Sequence, residues 1–235
     1  MIRLLVYSSA VVILLVACSS NEIRITSATY GNLQNEEQIF AVHYVPAQFS
    51  ASTPEVVNAG GAAMMFGAVG GAVAGAIQAR EAIESGRQVV TDYQLEDPMF
   101  KIKSSFLENL SRRQSLQNIK LLDEALINDN LDVLKKQFQK GLIFDFKTTS
   151  WSLNSAGPLS PNTYRIYYTG RARLLRFPEG TIEWQSFCQS EGKIEDAAPT
   201  ILQVVANSGA ILKSQLGSAG DSCLHQFKKQ FALRP

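Results

Sequence analysis

The most reactive side chains of this protein belong to three cysteines and two histidines. The cysteines are Cys18, Cys188 and Cys223, and the histidines are His43 and His225. A thiol can be acylated, can pair in a disulfide, or can act as a nucleophile beside a base. Position along the chain separates these chemistries, because each needs different neighbours.

Cys18 follows a short apolar segment. Arg3 precedes residues 4–17, which carry no charge; this is the layout of a secretory leader and falls short of the roughly 20 residues of a bilayer span. A membrane-spanning anchor with an incidental cysteine is the alternative. Residues 15–18, Leu-Val-Ala-Cys, resemble the lipobox of bacterial lipoproteins. The resemblance implies cleavage before Cys18 and lipid on its sulfur. Because Ser19 stands where inner-membrane retention signals have aspartate, it also implies the outer membrane.

With Cys18 assigned to lipid, Cys188 and Cys223 remain as one pair. The bacterial periplasm permits disulfides. A bond here would join the last strand to the C-terminal helix and would stabilise the fold by a few kcal/mol. The alternative is a nucleophile made of Cys223 and His225. Residues two apart on a helix point in different directions, so the disulfide is favoured.

Patterns typical of enzymes and metal sites are missing from the sequence. It contains no H-E-x-x-H, C-x-x-C, P-loop or G-x-S-x-G motif. Asp145 and Glu183 lie on predicted strands and are expected to be solvated or salt-bridged surface groups, and His43 to be partly exposed. Net charge is +1, without the basic surplus of a nucleic-acid binder. We expect no catalysis, metal, cofactor or nucleic-acid partner; an enzyme site assembled from distant residues is the alternative.

A long predicted strand carries arginine and tyrosine at alternating positions. Arg165, Tyr167, Arg171 and Arg173 share parity and therefore project from one sheet face. Arginine and tyrosine are favoured at interfaces. This candidate interaction face would bind a partner protein or anionic lipid, and a solvated basic face is the alternative.

Residues 59–77 carry no charge and are rich in glycine and alanine. Gly67, Gly71 and Gly75 recur every fourth residue, so in a helix they form one ridge. Glycine in a helix costs about 1 kcal/mol relative to alanine, and this spacing favours close packing of helices. The segment resembles the glycine zippers of envelope lipoproteins, which implies insertion or oligomerisation. A buried hairpin or a loop over the globular body is the alternative.

Hydrophobic periodicity predicts the elements that position these residues. With 46% hydrophobic residues the chain can build a core. The order predicts an α+β fold, an antiparallel sheet packed against helices, with the Gly/Ala-rich helix or helical hairpin as an appendage. The predicted strands are 23–30, 39–45, 118–122, 142–153, 163–177 and 181–187. The predicted helices begin at Asp97-Pro98 and span 130–140, 199–216 and 223–233.

The order of elements over about 95–216 is similar to that of auxiliary lipoproteins of ABC-type envelope transport systems. Tyr-Arg-Ile-Tyr-Tyr at 164–168 and Gly-Thr-Ile-Glu-Trp at 180–184 belong to the likeness. It implies a scaffold or accessory role in an envelope complex, with the lipid in the outer membrane, the body in the periplasm, and envelope proteins or the chain itself as partners. A zipper that inserts and oligomerises in a pore or seal is the alternative function. The expected organisation is a leader at 1–17, a tether with strands at 18–54, the zipper segment at 55–95 and an α+β domain at 96–235.

Overall fold

The computed structural model describes residues 22–52, 67–116, 118–156, 162–193 and 199–232. These residues form a mixed sheet of six strands packed with five α-helices. The predicted α+β class is therefore confirmed. The predicted leader and Cys18 lie outside the described residues.

The sheet is antiparallel only in its second half. The strands are β1 Ile39–His43, β2 Ser50–Ala51, β3 Ile119–Leu121, β4 Gly141–Ser155, β5 Tyr164–Phe177 and β6 Thr181–Glu191. Their spatial order is β3-β1-β4-β5-β6, with β2 beside the end of β4. β4 pairs antiparallel with β5, and β5 with β6, through short connections. β1 pairs parallel with β3 and with β4, and β2 pairs parallel with β4. The parallel pairs arise because the chain returns from β1 to β4 only after a long crossover through helices.

Helices cover the two faces of the sheet unequally. The largest core lies where Phe106 and Phe227 pack on Phe146, and a smaller core lies on the opposite face around Leu134 and Ile143. The third and fifth helices therefore cover one face and the short fourth helix covers part of the other. The helices are α1 Ser27–Asn32, α2 Gly67–Tyr93, α3 Met99–Gln114, α4 Leu131–Gln137 and α5 Ile201–Ala232.

The predicted strand at 23–30 is wrong. Only Ile23 pairs in strand fashion, as an isolated bridge to Gln185, and α1 begins at Ser27. The Thr26 hydroxyl accepts a hydrogen bond from the Thr29 backbone N–H at 3.0 Å. This N-cap satisfies a free backbone donor of the first turn and so favours a helix.

The predicted gap between two C-terminal helices also lies elsewhere. α5 runs without a break through 217–222, and its non-helical residues are instead 206–209. Asn207 and Gly209 have φ of 50° and 71°, a left-handed conformation that asparagine and glycine adopt most readily. A Cβ on Gly209 would lie 2.9 Å from the Tyr93 ring. The break therefore lets the end of α2 pack closely on α5.

Candidate functional site

The predicted interaction face lies on the side of the sheet that α4 partly covers. Tyr168 and Ile166 of β5 are buried in the main core. Arg165, Tyr167 and Arg171 alternate with them and are half-buried. The predicted parity of β5 therefore holds in the structure.

Asp145 and Arg173 form a buried ion pair on this face. Arg173 Nε donates to both carboxylate oxygens of Asp145 at 3.0 Å, and the Tyr44 hydroxyl donates to Oδ2 at 2.8 Å. Burial first, and the Asp145 carboxylate second, raise the pKa of Tyr44 far above its ordinary value. Asp145 is 0% exposed, so its predicted surface location is wrong. Arg173 is 5% exposed and is not accessible for docking.

The loop between β3 and α4 covers this ion pair and explains the burial. Its Asp129 carbonyl oxygen accepts a hydrogen bond from Arg173 Nη2 at 3.1 Å. The Asp129 carboxylate accepts from Arg171 at 2.8 Å and pairs with Lys147 at 2.9 Å. Partial burial alone would raise the pKa of Asp129, but the hydrogen bonds from Lys147 and Arg171 outweigh it and lower the pKa to about 2.

The outer part of the candidate interaction face is less enclosed. Arg165 pairs with Glu191, on the neighbouring strand β6. Tyr167 lies opposite Glu191 in the pairing of β5 with β6 and is half-buried. All three arginines of the face have carboxylate partners in the chain, so Tyr167 and the neutral side chains beside it are its accessible groups that form no ion pair.

The structure contains the predicted disulfide between Cys188 and Cys223. Their Cα atoms are 5.2 Å apart, and the bond joins β6 to α5. Cys223 is 0% exposed and its sulfur is bonded, so the nucleophile pairing with His225 is absent.

The glycines at 67, 71 and 75 all lie in α2, which is one continuous helix over Gly67–Tyr93. A helical hairpin does not form within that range. Among the described residues, no helix is both long and apolar enough to cross a membrane. Residues 59–66 of the predicted zipper segment lie outside the description, so zipper packing remains a prediction.

A buried lysine was not indicated by the charge pattern. Lys103 of α3 is 0% exposed; its ammonium donates to the Leu122 carbonyl oxygen and lies 3.2 Å from His43 Nδ1. Burial lowers the pKa of Lys103, and burial together with the Lys103 charge lowers that of His43. Lys103 lies four residues from Met99 and from Leu107, within the apolar stripe of α3. This position is the feature of the sequence that could have predicted its burial.

A half-buried carboxylate also anchors the start of α3. Asp97 accepts hydrogen bonds from the Thr148 hydroxyl at 2.7 and 2.8 Å, from the Tyr168 hydroxyl at 3.0 Å and from the Met99 backbone N–H at 3.2 Å. Burial raises the pKa of Asp97, and these hydrogen bonds oppose the rise. The sequence indicated Asp97 only as a helix start, and its attachment to β4 and β5 is tertiary.

No protein-family model and no curated protein matches this chain. Among solved structures, the chain is similar to the hypothetical protein CT253 from Chlamydia trachomatis, with 11% identity and a TM-score of 0.29 over 55% of this chain and 80% of that one. It is also similar to the lipoprotein GNA1162 from Neisseria meningitidis, with 13% identity and a TM-score of 0.22 over 68% of this chain and 87% of that one. At these TM-scores the likeness assigns neither a fold family nor a function.

Proposed function

We propose that this chain is a lipid-anchored envelope protein that serves, without catalysis, as a scaffold or accessory subunit of an envelope transport or assembly complex. The observation that carries the proposal is the Leu-Val-Ala-Cys run at 15–18, directly after an uncharged apolar segment. Burial of an acyl chain contributes about 0.8 kcal/mol per methylene, and more than one chain makes attachment stable. Such an anchor raises the effective concentration of the body for partners in the same membrane.

The non-catalytic part of the proposal is supported by the titratable groups. Displaced pKa values are typical of active sites, but structural ion-pair networks also produce them. Each described group with a displaced pKa hydrogen-bonds to another residue of the chain, as expected of a structural network. These groups are His43, Tyr44, Asp97, Lys103, Asp129, Tyr168, Arg173, Arg176 and Glu183.

Partner binding would use the outer part of the candidate interaction face. Tyr167 is half-buried there, and Thr169 and Gln189 extend the same face across β5 and β6. Tyrosine suits such a surface because it combines a large apolar ring with a hydroxyl that can hydrogen-bond.

Expression of the full chain in a bacterium with an outer membrane tests this function. We expect mass spectrometry to find a mature chain that begins at acylated Cys18. The protein should stay in the membrane fraction in about 1 M salt, where the screening length is roughly 3 Å. Crosslinking in cells should recover envelope proteins with it.

Two variants make the outcome decisive. Cys18→Ala should lose the acyl mass and keep its leader uncleaved, and Tyr167→Asp should keep the acyl mass but lose crosslinked partners. An intact leader or an unmodified Cys18 sulfur would contradict the anchor. Correct lipidation without any crosslinked envelope protein would contradict the accessory role.

A further inference from the structure

The first described residues are attached to the body at one end of the molecule. Ile23 and Gln185 of β6 exchange backbone hydrogen bonds at 3.0 and 2.8 Å. The Gln230 side chain of α5 donates to Glu22 at 3.0 Å. The chain therefore enters the fold beside β6 and the C-terminal end of α5.

The proposed lipid site is close to this attachment in sequence. Only four residue steps separate Cys18 from Glu22. A fully extended chain spans at most about 3.6 Å per residue, so the two Cα atoms are at most about 14 Å apart. If Cys18 carries lipid, the end of the body that holds Glu22 must lie next to the bilayer surface.

Cationic side chains gather at this same end. Arg24 and Phe231 line one hollow of about 280 Å³ with Glu22. Phe231 also lines a neighbouring hollow with Arg113 and Lys228. Lys229 adds a charge in the last turn of α5. Arg24, Arg113, Lys228 and Lys229 are here named the basic end.

None of these four cations has a carboxylate partner among the residues that the structure describes. The arginines of the candidate interaction face, in contrast, are all paired. Cations in the last turn of a helix interact favourably with its dipole, which explains Arg113 and Lys229. Arg24 lies between the bridge at Ile23 and the start of α1, so the dipole does not explain its place.

We propose that the basic end rests on anionic phospholipid headgroups of the membrane that holds the Cys18 lipid. This inference rests on the proposed function, because the short tether brings the basic end to a membrane only if Cys18 is acylated. Charge attraction at a lipid surface acts within about one Debye length, roughly 8 to 10 Å, which the tether allows. The body is then held in one orientation, with the basic end facing the bilayer.

Lysine footprinting of the lipidated full chain tests this orientation. The protein is reconstituted in vesicles of phosphatidylcholine alone or with phosphatidylglycerol added, and amine acetylation is followed by mass spectrometry. We expect Lys228 and Lys229 to react about fivefold more slowly in the anionic vesicles. Lys135 and Lys136 are matched controls, since they are exposed in the last turn of α4 on the other face of the sheet, and their rates should not change.

A charge variant separates headgroup binding from simple proximity. Arg24→Gln with Arg113→Gln should reduce the protection of Lys228, whereas Lys135→Gln with Lys136→Gln should leave it intact. Equal rates in both vesicle types, with Cys18 shown to be acylated, would overturn this inference and leave the proposed function standing. A chain without acyl mass on Cys18 would overturn the proposed function itself.

Discussion

At the residue scale, the group made of Tyr44, Asp145 and Arg173 has the clearest energetic role. A carboxylate removed from water is tolerated only when charged and hydrogen-bonding partners replace its hydration. Asp145 has both, because Arg173 supplies the charge and three hydrogen bonds and Tyr44 supplies another. Loss of the carboxylate charge would leave the Arg173 guanidinium buried without a counterion.

We therefore expect Asp145→Asn to lower the free energy of unfolding by about 3 kcal/mol, because breaking a buried pair leaves an uncompensated charge. Urea denaturation of the purified protein measures the change. Glu191→Gln is the control; it removes the partner of Arg165, whose pair is more exposed, and should cost less than about 1 kcal/mol. Equal losses in the two variants would contradict a special role for the buried pair.

At the element scale, a glycine lets the long helix α2 pack closely on strand β2. Gly86 is buried, and a Cβ at that position would overlap the Phe49 carbonyl oxygen and lie 2.7 Å from the Ser50 Cα. Both neighbours are backbone atoms beside or within β2, so they cannot rotate away. The helix can approach the sheet this closely only because position 86 has no side chain.

Gly86→Ala should therefore push α2 away from β2 and lower the free energy of unfolding by about 2 to 3 kcal/mol, the usual cost of overpacking. The loss is measured by thermal and urea unfolding. Gly31→Ala in α1 is the matched control, because no atom lies within 4 Å of the added methyl; it should be neutral or stabilising by up to about 1 kcal/mol. A stable Gly86→Ala variant would show that the helix and strand do not pack as described.

At the scale of the whole molecule, the disulfide joins the last strand of the sheet to the last helix. Cys188 lies in the last strand and Cys223 in the last helix, 35 residues apart. Both are buried in the main core, with Phe227 one turn further along α5. The bond thus holds the C-terminal helix on the sheet even when other contacts of α5 open.

Reduction of this bond should lower the free energy of unfolding by about 3 to 4 kcal/mol, from the loop-closure entropy of 35 residues. Urea unfolding with and without a reductant measures it. A Cys188→Ser, Cys223→Ser double variant should start from the lower stability and should not respond to the reductant. A wild-type chain equally stable in both conditions would contradict the expected contribution.

Local sequence patterns predicted several secondary-structure elements and the disulfide of this protein without any tertiary information. β4, β5 and β6, the start of α3 near Asp97 and the pairing of Cys188 with Cys223 all follow from the sequence. Hydrophobic periodicity and turn residues depend on residues that are close in sequence, and the cysteine pairing follows from counting the cysteines. These predictions therefore need no knowledge of the fold. The lipid-site prediction at Cys18 belongs to the same class, because a processing motif is contiguous.

The tertiary structure alone decided which charges became internal. Alternation correctly assigned Arg173 to one sheet face, but only the loop between β3 and α4 determines that this part of the face is covered. Lys103 and Gly86 show the same limit, because each is explained by atoms far away in sequence that approach within bonding or contact distance. Whether a residue is buried depends on the atoms that pack against it. The sequence pattern predicts to which side of the sheet a side chain projects, but not whether another element covers it there.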